Sequence, residues 1–111
     1  MRLPLALLLL LGAAVLEAGG DAIVRRGLHA DSTAWRLGLI LVGGAVLMAY
    51  GVAVNLPPWD FGRLLGVYVA LFFLVAQVIN LVAFGVAPSL PILVGGALII
   101  AGGVVMTVWQ G

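Results

Sequence analysis

The chain has 111 residues, 65% of them apolar and 8% charged, with a net charge of +1 and a mean hydropathy of +1.33. A soluble domain is nearer half apolar and a quarter charged, and a chain this short buries only about two-thirds of its surface on folding. A soluble enzyme, a disordered tail and a nucleic-acid binder are thereby excluded, and the apolar surface needs a bilayer as its solvent.

A hydrocarbon core about 30 Å thick takes about 20 helical residues per crossing. Charges and prolines divide the sequence into four segments of that size. The first runs about Leu3–Val24, the second Ala34–Val54, the third Phe61–Phe84 and the fourth Leu90–Trp109. The first also resembles a signal peptide, with Arg2, the run Leu5–Leu11 and Gly12-Ala13-Ala14. Apolar character resumes at Ala22-Ile23-Val24, however, which favours a retained span. In the first link, Asp31-Ser32-Thr33 supplies N-cap acceptors for the second segment, and Asp60 does so for the third. Pro57 and Pro58 end the second segment, because proline lacks a donor and restricts the residue before it. Pro91 suits the first turn of the fourth, where a missing N–H costs nothing. Trp35, Trp59 and Trp109 fall at segment ends, the depth of lipid headgroups. These runs lack the alternation of barrel strands. The expected fold is an all-α integral membrane domain over residues 1–111, four transmembrane helices with short loops.

All five cations are arginines, and the four anions are Glu17, Asp21, Asp31 and Asp60. With Arg2 and Arg63 on one side and Arg25, Arg26 and Arg36 on the other, the orienting signal is a two-against-three count. The positive-inside rule needs a clearer excess, so one weakly biased orientation and insertion both ways up stay open. There is no cysteine and a single His29, hence no disulfide, thiolate nucleophile or metal cluster. No nucleophile–base pair is present, so no enzyme activity and no cofactor are expected.

Glu17 follows fourteen uncharged residues of the first span. An ionisable group there costs a few kcal/mol on insertion scales and usually serves ion or substrate movement. Its alternative is a structural carboxyl hydrogen-bonded between helices. Ala13, Ala14, Gly20 and Asp21 share its helical face, and the small residues among them are expected to leave a hollow around the carboxyl. Asp21 is either a second proton-handling group or the partner of Arg25 at i+4. Tyr68 lines a cavity or lies at the interface. Gln77 and Asn80 are read first as interhelical glue. In the fourth span, Gly95 and Gly102, like Gly96 and Gly103, recur after two helical turns. Close approach of backbones is how helices associate in lipid, so these four glycines are candidates for a dimerisation seam. The second span repeats the theme with Gly38, Gly43, Gly44 and Gly51.

Taken with these residues, the chain resembles the small multidrug resistance transporters of the drug/metabolite transporter superfamily, most closely their YnfA-like branch. The segment Leu16-Glu17-Ala18-Gly19-Gly20 is similar to that branch's Cys-Glu-x-Gly-Gly, and Arg25 stands eight residues on, as the family's basic residue does. Gly62-Arg63 leading into Gly66-Val67-Tyr68-Val69 and the run Leu90-Pro91 to Ala101-Gly102 match further motifs. Tyr68-Val69-Ala70 departs from the drug exporters' Trp-Ser-Gly, and Asp21 is unusual. The resemblance implies an antiparallel homodimer in the bacterial inner membrane. In it, Glu17 would bind either protons or a small cationic or amphipathic substrate, so that their exchange drives efflux. A lipid-linked-sugar translocator or flippase subunit, and a non-transporting partner of a second small subunit, remain alternatives.

Overall fold

The computed structural model describes residues 1–109. Four helices follow one another, α1 (Leu3–Leu28), α2 (Thr33–Val54), α3 (Phe61–Phe84) and α4 (Leu90–Val108), with no strand among the described residues. All four are long and apolar enough to cross a membrane. Ser32 caps α2 by accepting from the Trp35 N–H at 3.2 Å, and Asp60 caps α3 by accepting from Arg63 N–H at 3.1 Å. Pro4 and Pro91 lie in the first turns of α1 and α4. Gly85 closes α3 in the left-handed region, φ 68°, which spares a Cβ clash and turns its N–H back onto the Leu81 carbonyl.

α1 continues four residues beyond the expected end at Val24. Arg25 and Arg26 do not stop the helix, because cations in a last turn complement the partial negative charge of its free carbonyls. Their side chains then find partners on α3. Arg26 donates to the Ala83 carbonyl at 2.6 Å, and both guanidinium groups lie over the Phe84 ring, 5.9 and 5.4 Å from its centroid. At the opposite end of α3, Arg63 donates from Nε and a terminal nitrogen to the Met106 and Thr107 carbonyls, each at 3.2 Å, and covers the Trp59 ring. One arginine therefore satisfies a carbonyl at the end of α3 and another satisfies two at the end of α4, positions that have no donor within the helix itself.

The helices stand in the row α2–α1–α3–α4, α1 packing on α2 and α3, and α3 on α4. The molecule measures 53 × 34 × 19 Å. Small residues set the spacing of α1 and α2. Gly20 and Gly43 oppose each other so closely that a Cβ on Gly43 would lie 2.9 Å from the Gly20 carbonyl oxygen, and Gly27 abuts Leu39 and Ile40. The core gathers at the end nearer the α2–α3 link. There Leu10, Ala13 and Ala14 of α1 meet Val54 of α2 and Leu64, Val67 and Tyr68 of α3. Towards the other end, α1 and α3 are separated by open crevices.

Candidate functional site: a membrane carboxyl at the edge of the core

Glu17 stands near the middle of α1, and Tyr68 lies two turns into α3. The Tyr68 hydroxyl donates to Glu17 Oε1 at 2.8 Å. Tyr68 is only 4% exposed, and its ring is fixed between two others, Tyr50 at 5.7 Å and Phe72 at 6.1 Å between centroids. Three helices thus converge on one carboxyl. The hydroxyl gives the charged form of Glu17 a donor where lipid offers none, and it can accept from the protonated form after rotating. Of the two places open to Tyr68, a cavity wall or the membrane interface, it takes neither simply: the packing of α3 on α1 puts its oxygen on the carboxylate.

The surroundings of Glu17 differ from the expected hollow. Ala13 and Ala14 are fully buried in the core, Ala18 nearly so, and Gly20 is pressed against Leu47 and the Gly43 carbonyl. Small residues here bring helices together instead of leaving space, because any gap the size of a methyl forfeits dispersion contacts. Space opens one turn farther along, between α1 and α3. A cavity of about 360 Å³ is lined there by Asp21 and Arg25 from α1 and by Phe72, Gln77, Asn80 and Phe84 from α3. Phe72 links the two, touching Tyr68 on one side and the cavity on the other. Arg25 directs its guanidinium over Phe84. Gln77 and Asn80 face the same crevice as Asp21, a grouping that spacing along α3 alone does not reveal. Among the described residues no group of His, Cys, Asp and Glu side chains can hold a metal ion.

The four glycines of α4 divide into two pairs. Gly96 and Gly103 are buried against Phe73 and Ala70 of α3; a Cβ on Gly96 would displace the end of the Phe73 ring, and one on Gly103 would meet the Ala70 Cβ, which cannot turn away. Gly95 and Gly102 face open space, with nothing within 4 Å of a Cβ built on either. Half of the anticipated seam therefore joins α4 to its own chain. Of the second-span glycines, Gly43 is used against α1, while Gly38, Gly44 and Gly51 are open.

Four apolar spans around a half-buried carboxyl define a multi-pass membrane protein. The chain is similar over nearly its whole length to a UPF0060 membrane protein of Herpetosiphon aurantiacus, 29% identical over 106 residues that make up 94% of each chain. No family model matches it, and no solved structure does.

Proposed function

We propose that the protein is a small multidrug-resistance-like transporter of the bacterial inner membrane, exporting a small cationic or amphipathic compound in exchange for protons. The observation that carries this reading is the Tyr68–Glu17 contact at mid-span, at the boundary between a packed core and a polar-lined cavity. A carboxyl that keeps one donor when charged can release a proton without being left unpaired in apolar surroundings, and a cation can then take the proton's place. Asp21, one turn nearer the interface, extends the polar path. The similarity to a UPF0060 membrane protein agrees with a small four-span transporter, and that group is YnfA-like.

A second copy completes the reading. A single row of helices encloses no chamber, whereas two rows face to face bring both Glu17 carboxyls to one. The near balance of arginines between the two sides supports opposite orientations of the two copies, and Gly95 and Gly102 leave α4 a flat outer strip for their contact. The decisive experiment reconstitutes purified protein in liposomes, imposes a pH gradient and measures flux of a panel of cationic amphiphiles. Glu17→Gln preserves shape and removes the titratable charge; it should unfold like wild type in detergent and show no proton-coupled flux. Wild-type flux by folded Glu17→Gln protein would refute the proposal. Labelling of a cysteine introduced at the C-terminus should proceed from both membrane sides; labelling from one side alone would refute opposite orientations.

A further inference from the structure

We propose, on the basis of the transport reading above, that the cavity between α1 and α3 takes a zwitterion, its cationic group at Asp21 and its carboxylate or phosphate at Arg25, and that this is the class of compound carried. The cavity, about 360 Å³, has Asp21 and Arg25 on its α1 wall and Gln77 and Asn80 on its α3 wall. Other polar side chains of the spans are already engaged: Glu17 with Tyr68, Arg26 with Ala83, and Arg63 with Met106 and Thr107. Among the described residues, the side chains of Asp21, Arg25, Gln77 and Asn80 form no hydrogen bond with the protein. Polar groups without partners are costly inside a membrane. Four of them around one concavity match a polar occupant.

A simple cation is poorly matched to these walls. Asp21 attracts it, but Arg25 stands one turn away, about 6 Å of helical rise. Just outside, the rim is lined by Arg25, Arg26 and His29, with no acidic side chain among the residues that form it. The fixed charge of cavity and rim is therefore two arginines against Asp21, one positive unit in excess. A compound that bears its own anion turns the repulsion at Arg25 into a second attraction. Arg25 is equipped for that role. Its guanidinium lies over the Phe84 ring at 5.9 Å from the centroid, a contact that uses the flat face and leaves the N–H edge for a carboxylate or phosphate held at two points. Gln77 and Asn80 offer donors and acceptors on the facing wall. The rise from Asp21 to Arg25 sets the span of the compound, with its two charges about 6 Å apart. Asp21, the departure from the family pattern, then receives the cation one turn outside Glu17, where exchange with the proton follows.

The test titrates the full chain in neutral detergent, by calorimetry, with γ-butyrobetaine and with its primary amide, which keeps the ammonium and the length and drops the negative charge. The same pair is then followed into liposomes under a pH gradient. The zwitterion should bind about fivefold more tightly than the amide, the effect of one charge near a membrane surface. Arg25→Gln should abolish that preference, and Arg25→Lys, which keeps the charge, should preserve it. Asp21→Asn should weaken both compounds. Failure of both compounds to bind, equal or tighter binding of the amide, or a preference unmoved in Arg25→Gln protein that unfolds like wild type would each overturn the proposal. Proton-coupled flux of the amide with no preference for the zwitterion would overturn it while leaving the transport reading intact. Selective binding of the zwitterion with no flux dependent on Glu17 would uphold the ligand class of the cavity and refute the transport reading.

Discussion

Gly43 is where the spacing of α1 and α2 is most exposed to test. Replacing it by Ala adds one carbon that would fall 2.6 Å from Val24 Cγ2, 2.9 Å from the Gly20 carbonyl oxygen and 3.1 Å from the Val24 nitrogen. The Val24 side chain can turn away, but the other two atoms are backbone, so relief requires the helices to part. Overpacking of this kind costs about 1–3 kcal/mol. Alanine is better than glycine in a helix interior by about 1 kcal/mol, which offsets part of that. The adjacent Gly44 provides the control, because a Cβ there meets nothing within 4 Å and Gly44→Ala keeps only the helix gain. The two variants should therefore differ by about 1–3 kcal/mol, the overpacking contribution alone. The assay is reversible unfolding in mixed micelles titrated with sodium dodecyl sulfate, followed by helical circular dichroism. Equal stability of Gly43→Ala and Gly44→Ala, within about 0.5 kcal/mol, would refute the close approach. The consequence reaches the site, since Tyr50 lies two turns beyond Gly43 on α2 and its ring flanks Tyr68. Gly43→Ala should also alter the pH dependence of transport, whereas Gly44→Ala should not.

Tyr68→Phe keeps the ring between Tyr50 and Phe72 and removes the donor to Glu17; it should cost about 0.6–1.7 kcal/mol, the range of interhelical hydrogen bonds in membranes, and shift the pH profile of flux. Stability and profile both unchanged would deny the contact any role. Arg63→Gln should free the Met106 and Thr107 carbonyls and speed amide hydrogen exchange in the last turn of α4, with the centre of α1 unaffected. Gly102→Leu and Gly103→Leu should part company: the first, on the open side, should leave the protomer folded and abolish a crosslinked dimer, while the second should separate α4 from α3 and lower the unfolding midpoint.

Much of the fold could be read from the chain because membrane helices are announced by length and punctuation. The bounds of α3 and the caps at Ser32 and Asp60 follow from residues beside them in sequence. Glu17 stood out for the same reason, as a charge where the neighbours are apolar. What could not be read was which way each helix faces. A soluble helix marks its inner side by polarity, but these are apolar nearly all round, so lipid-facing Leu8 and buried Leu10 look alike. Hence Tyr68 showed no sign of its partner fifty-one residues away. The pairs Gly95–Gly102 and Gly96–Gly103 were indistinguishable by spacing, although only the second pair meets α3. The small residues around Glu17 misled for a further reason: they permit either a void or an intimate contact, and only the neighbouring helix decides which. Arg26 and Arg63 counted as topology charges in the sequence, and their carbonyl partners belong to other helices.

The arginine contacts give the composition a stereochemical meaning. The chain has five arginines and no lysine, and charge alone does not account for that preference. Arg63 serves two successive carbonyls from two nitrogens while its flat face covers an indole ring; Arg26 divides itself between a carbonyl and a phenyl ring; Arg36 reaches the Ala30 carbonyl at 3.3 Å. Arg63 uses its planar face and two donor directions at once, and Arg26 its face and one. An ammonium, compact and strongly hydrated, can point at a single acceptor but cannot lie on a ring and bridge two carbonyls together. At the ends of these helices the working property of the side chain is its shape, and an arginine-to-lysine exchange that leaves every charge in place would still unfasten one helix from the next.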